Sequence, residues 1–189
     1  GWTVVFWYAY PMIGRSSHVA DFHRQIGAAV FVCCMGSWHV ASNSSPGHVD
    51  KRTMPLFDHY DYDGALYSEK VCPTLGIRKI ARSKYDRATG RHVPRFDHHC
   101  GWIGRTVGER NYRWFLLFLI VHFGMCAYGT WAMYTLLRGE VLDKDLLNAV
   151  YYNAATGEEV RADRWVVAHY LSMRHFEVCS LILLMGVMS

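Results

Sequence analysis

Trp114 to Leu137 is a run of 24 residues without a single Asp, Glu, Lys or Arg. Wound as a helix rising about 1.5 Å per residue, such a run crosses a hydrocarbon layer of about 30 Å. It has no polar face at helical period, so it is not patterned as a surface helix of a soluble domain. Ile26 to Ser42 is a second block, shorter and softened by Gly27, Gly36 and His39. Gly1 to Gly14 and Val178 to Ser189 are also apolar, but too short to span, and each runs into a chain terminus. The pattern predicts an all-α integral membrane protein with a four-helix transmembrane bundle. Its inner spans lie at 26–42 and 114–137, and its outer two, 1–14 and 178–189, are truncated.

Charge supplies an orientation. The segment 50–113 carries 13 of the 20 Lys and Arg against 8 of the 16 acids, whereas 138–165 carries four basic and six acidic residues. Basic loops stay on the cytosolic side, which makes 50–113 cytosolic and 138–165 lumenal or extracellular. The net charge of +4 is too small and too dispersed to call for nucleic acid. A basic loop beside spans suits anionic head groups or an anionic ligand. From Cys72 onward the loop is rich in Gly, Arg and single aromatics. That composition predicts a small irregular domain, which needs a metal, a membrane surface or neighbouring helices to hold it. Of six cysteines, Cys33, Cys34, Cys126 and Cys179 lie in apolar blocks; only Cys72 and Cys100 lie in the loop. A reducing cytosol argues against a disulfide between them. His122, inside the third span, is either a functional imidazole or a helix-packing one.

The loop contains Asp97-His98-His99-Cys100 within Arg95 to Trp102. A thiolate is the nucleophilic form of cysteine, and a neighbouring imidazole can take the thiol proton. A carboxylate can fix the tautomer of that imidazole, as Asp97 would for His98. The competing reading is a His-Cys metal cluster, but zinc needs four ligands and C-x2-C spacing occurs nowhere in the chain.

The run from Cys72 through Phe115, with its flanking spans, resembles the cysteine-rich domain of the DHHC-type protein S-acyltransferases (palmitoyltransferases). The likeness is carried by Lys79, Arg82-Ser83-Lys84, Arg95-Phe96, the tetrad 97–100, Trp102, Gly108, Asn111-Tyr112-Arg113 and Phe115, with Ser45-Pro46-Gly47 at the family's Asp-Pro-Gly turn. The resemblance implies a two-step transfer of a long-chain acyl group from palmitoyl-CoA, through an acyl-enzyme on Cys100, to protein cysteines. It makes Cys100 the nucleophile, His98 the general base and Asp97 its orienter, with His99 completing the tetrad. It places Lys79, Arg82 and Lys84 on the phosphates of CoA, Trp102 beside the thioester, and Phe115 and Phe118 along the acyl chain. Implied partners are membrane-associated proteins with cytosolic cysteines and the lipid bilayer, not nucleic acid. The implied location is a multi-pass protein of Golgi, ER or plasma membrane with its catalytic loop cytosolic. The alternative function is a catalytically weak homologue serving as a membrane scaffold or adaptor.

One departure motivates that alternative. Members of the family usually hold two zinc ions, each on three Cys and one His. Here Leu75, Tyr85, Thr89 and Thr106 stand where Cys or His is expected, while Asp86 and His92 replace Cys. One set retains only Cys72 and His92 as donors, the other only Asp86 and His99, so the expectation is that no structural zinc is bound. Ion pairs of Arg87 or Arg95 with Asp86, and packing by Tyr85 and Phe96, are the expected substitutes.

Overall fold

The computed structural model describes residues 2–188. Most of them are helical. A helical run made of Trp2–Val4, a π-helical turn Val5–Ala9 and Tyr10–Ile13 comes first. Helix α1 follows at His23–Asn43 and helix α2 at Tyr112–Asp143. Both are long and apolar enough to cross a membrane, with mean hydropathy of 1.2 and 1.6 over their best stretches. Helices α3 (Arg164–Arg174) and α4 (Phe176–Met188) meet at a 104° bend and make a third candidate if the pair forms one broken span. Asp163 starts α3 by accepting the backbone N–H groups of Trp165 and Val166, each at 2.8 Å, a side-chain N-cap. Leu116, Leu117, Leu119, Ile120 and Phe123 on α2 are exposed, a display of apolar surface that suits lipid rather than water.

The chain divides into two compact units, one of residues up to Cys33 with those from His122 onward, the other Cys34–Val121. The first is held by apolar packing among Ala9, Ile13, Val19, Met133, Leu136, Leu137 and Val178. Gly129 lets Met185 pack close, its sulfur 2.5 Å from where a β-carbon would sit. α2 continues past the expected end at Leu137 and closes on polar residues, with Glu140 paired to Lys144 at 2.5 Å one turn on. Beyond it, Tyr151–Tyr152 and Glu159–Val160 pair as an antiparallel hairpin.

The second unit is built differently. Strands β1 (Lys84–Asp86) and β2 (Arg91–Val93) pair antiparallel, Tyr85 opposite His92. Strands β3 (His99–Cys100) and β4 (Arg105–Thr106) pair with His99 opposite Thr106 and Cys100 opposite Arg105. Val49 adds a bridge to His92, and a small core of Val49, Phe57 and Ile80 lies beneath. The loop expected to be irregular is thus organised by short hairpins. Their turns come from local chemistry: Asp86 folds over the amides of Ala88 and Thr89, and Gly90 and Gly104 take positive φ at the hairpin ends.

Candidate active site

Cys100 lies on β3, and the ladder around it extends beyond the two paired residues. The Asp97 N–H donates to the Val107 carbonyl at 3.0 Å, and the Val107 N–H donates to the His98 carbonyl at 2.7 Å. The whole tetrad is therefore held in register against residues 105–107. Because side chains alternate along a strand, Cys100 turns inward while its neighbour His99 turns out.

The thiol sits in an apolar setting. Cys100 is 6 % exposed and clusters with Ala41, Ile103, Val107 and Phe118, against which Tyr112, Trp114 and Phe115 also pack. The first turns of α2 bring Phe115 and Phe118 to this cluster. The Asp97–His98 pair is more open. The Asp97 carboxylate lies 3.4 Å from Nδ1 of His98, their side chains being 48 % and 44 % exposed. That contact leaves Nε2 of His98 as the nitrogen available for proton exchange. The His98 ring meets the face of Phe115 edge-on at 5.2 Å, which fixes its plane.

Of the three cations expected on CoA, Lys84 opens β1 while Lys79 and Arg82 precede it, and none forms an ion pair with an acid among the described residues. Lys84 lies over the Phe96 ring at 5.0 Å and Arg82 over Tyr60 at 5.2 Å. Lys79 is held through its backbone, its N–H bonded to the Lys70 carbonyl and its own carbonyl to the Tyr62 hydroxyl. Arg82 has φ of +59°, a left-handed backbone that costs a β-carbon-bearing residue about 1 kcal/mol. Neither these cations nor Trp102 belongs to the cluster around Cys100. Trp102 is 76 % exposed, and its carbonyl accepts the indole N–H of Trp38 at 3.1 Å.

Two features escape a reading of the sequence. Asn111, among the family-matching residues but assigned no role, is a buried hub. Its Oδ1 accepts the Gly108 N–H at 2.9 Å, and its amide donates to the carbonyls of Thr106 and Ser44 at 2.9 and 3.2 Å. Gly108 must lack a side chain, since a β-carbon would lie 2.5 Å from Val93 and 3.0 Å from the Pro46 carbonyl. The second feature centres on buried Asp86. Its Oδ2 accepts the hydroxyls of Thr106 and Thr89, both at 2.7 Å, and Thr106 Oγ1 lies 2.9 Å from Nδ1 of His99. Burial raises the carboxyl, but the bonds from Thr106, Thr89 and the amides of Ala88 and Thr89 together hold it below the usual range. The expected pairing of Asp86 with Arg87 or Arg95 does not occur. Arg95 instead lies over the Tyr112 ring at 5.5 Å.

These contacts also decide how a zinc ion would be received. The Thr106 hydroxyl hydrogen goes to Asp86, and Nδ1 of His99 is spent on Thr106. Cys72 and His92 bring no third donor, and among the described residues no three His, Cys, Asp or Glu side chains converge as a metal site. Neutral hydroxyls are not structural zinc ligands, so this donor set does not fit the ion.

Comparison with known proteins places the geometry. The palmitoyltransferase SWF1 of Yarrowia lipolytica is 37% identical over 101 residues, 52% of this chain and 26% of that protein. The palmitoyltransferase ZDHHC4 of Bos taurus is 42% identical over 78 residues, 40% of this chain and 23% of that protein. The probable protein S-acyltransferase 6 of Arabidopsis thaliana is 29% identical over 89 residues, 47% of this chain and 22% of that protein. The chain spans about a quarter of the length of these curated relatives. The family model for DHHC palmitoyltransferases matches residues 65–189, which takes in both hairpins, the tetrad and all of α2, and the chain belongs to that family.

Proposed function

We propose that the protein transfers a long-chain acyl group from acyl-CoA to protein cysteines, with Cys100 as the acyl carrier. The observation behind this reading is the seat of Cys100: a thiol in an apolar cluster at the start of an apolar helix, with the His98–Asp97 pair just ahead of its strand. In the first step the Cys100 sulfur attacks the thioester carbonyl. A new carbon–sulfur bond forms, the bond to the CoA sulfur breaks, and His98 passes the Cys100 proton to the departing CoA thiolate. In the second step a substrate cysteine, deprotonated by His98, displaces the acyl group and restores the Cys100 thiol. Asp97 steadies the imidazolium in both steps.

The resting place of the chain follows from its chemistry. Each methylene kept out of water contributes about 0.8 kcal/mol, so a sixteen-carbon acyl group belongs beside Phe115 and Phe118, toward the bilayer. Lys79, Arg82 and Lys84 would receive the CoA phosphates, and Trp102 would close over the thioester once donor is bound. This reading has a four-span bundle, spans at 1–14, 26–42, 114–137 and 178–189, a cytosolic loop 50–113 and a lumenal loop 138–165. Membrane-associated proteins with cytosolic cysteines at Golgi, ER or plasma membrane are the substrates. Self-acylation of the full-length protein in membranes with a clickable palmitate analogue tests it. Label that hydroxylamine removes, and that Cys100→Ala abolishes, is expected. A folded parent that takes no label from supplied acyl-CoA would be a scaffold or adaptor instead.

A further inference from the structure

We infer that Asp86, Thr89, Thr106 and His99 form a metal-free clamp that takes the place of a zinc ion and positions Cys100. These are four of the positions at which the family's zinc donors are expected, and the fold brings them into one hydrogen-bonded cluster. The direction of the bonds is determined by donor count. Asp86 is held as a carboxylate by its donors, so the Thr106 hydroxyl gives it its only hydrogen. Thr106 Oγ1 must then accept from His99, which carries its ring proton on Nδ1. The chain reads His99 to Thr106 to Asp86, with Thr89 donating to the same carboxylate oxygen.

The cluster does what a tetrahedral ion would do for the backbone. Asp86 ends β1, Thr89 lies in the turn to β2, His99 opens β3 and Thr106 ends β4. One carboxylate thus fastens two hairpins together, and it does so one residue from Cys100. A charged acceptor buried with neutral donors makes bonds stronger than ordinary ones, which is what a replacement for metal–ligand bonds requires. Asp86 and Thr106 are positioning residues acting through His99 and the β3–β4 register; neither has a part in the chemistry.

The clamp's role in catalysis rests on the acyl-transfer reading above, but the clamp itself can be tested without it. Full-length protein purified in detergent is assayed for metal content, for melting before and after treatment with a zinc chelator, and for the rate of Cys100 alkylation. The expected parent holds far less than one zinc per chain and melts unchanged after chelation. A zinc near one per chain whose removal lowers the melting temperature would overturn the clamp. The triple variant D86C/T89C/T106C, which with His99 completes a Cys3His set, is expected to gain about one zinc per chain. Thr106→Val, which breaks both bonds, is expected to melt lower and to change Cys100 alkylation and self-acylation about tenfold. Thr106→Ser, which keeps both bonds, is expected to restore parental values. Thr106→Val behaving as parent would refute the clamp, and should it fail to fold, the metal content and chelation of the parent decide. A parent that never self-acylates defeats the acyl-transfer reading while the metal, melting and alkylation results still judge the clamp.

Discussion

Two corners of the hairpin loop lie where the family resemblance led one to expect full sets of zinc donors, and they are filled in opposite ways. Around Asp86 every polar group finds a partner: carboxylate, two hydroxyls, an imidazole and two amides close on one another. Around Cys72 and His92 the filling is by packing. His92 is fully buried with its ring edge-on to Tyr85 at 5.9 Å. Its Nδ1 is 3.4 Å from the Ser83 hydroxyl, and its Nε2 has no hydrogen-bond partner among the described residues. Cys72 is buried, and its backbone closes a turn with Gly76 and Ile77. A thiol and an aromatic ring can fill space without a metal. A carboxylate cannot be buried without donors, so the Asp86 corner had to become a network. The corner nearer Cys100 is the directional one, and directional bonds fix a register that packing alone leaves soft.

The comparison can be broken first at Asn111, which ties the Asp86 corner to the end of α1. Asn111→Ala strands a buried amide hydrogen and two carbonyls, and a loss of about 2–4 kcal/mol is expected. Thermal melting of the purified full-length protein measures it. A loss under about 1 kcal/mol would mean that water or relaxation replaces the hub and that the network is not what holds the loop.

Next in size is the contrast between the corners themselves. Asp86→Ala leaves the buried Thr106 hydroxyl without its acceptor and should cost about 2–3 kcal/mol. Cys72→Ala removes one buried sulfur and should cost about 1 kcal/mol, because no metal is lost with it. Measured side by side in the same detergent, the two should differ by at least the smaller value. Equal, large losses would put a metal back on Cys72 and erase the distinction.

How much of this was legible in the sequence depends on what kind of interaction carries each part. A long apolar helix was legible, since 24 uncharged residues have few other uses, and α2 forms over them; its end was not, because Glu140 pairs with Lys144 and lets the helix run on to Asp143. The tetrad was legible as a motif, and its neighbours Phe115 and Phe118 do reach Cys100. The clamp was hidden because its members look like losses when each is compared with a missing ligand. The signal lay in the local grammar: Asp86-Arg87-Ala88-Thr89-Gly90 is a turn sequence, with an acid two and three residues ahead of free amides. Read as a hairpin it predicts β1 and β2, and it places Asp86 and Thr89 side by side. Thr106 could not be found that way, because its contact with Asp86 spans 20 residues and depends on the docking of two hairpins. Asn111 was visible as a matching residue, but its role needs the three-dimensional neighbours Ser44 and Gly108.

The smallest expected effect sharpens the packed corner. Burial, with the Lys79 ammonium adding to it, pushes the His92 imidazole below its ordinary value. The folded protein therefore binds this proton less readily than the unfolded chain does, whose His titrates near about 6.5. The contribution of this site to stability is present in full above about pH 7 and is lost as the pH falls through 6.5 toward the folded value. His92→Phe keeps an aromatic ring against Tyr85 and removes the unpartnered nitrogen, so at neutral pH it should change stability by less than about 1 kcal/mol in either direction. Between about pH 7 and 5 it should flatten part of the acid-side fall in melting temperature that the parent shows. A parent curve that the substitution leaves unchanged would mean that the His92 nitrogen reaches solvent or a partner, and that the two corners are more alike than their contacts suggest.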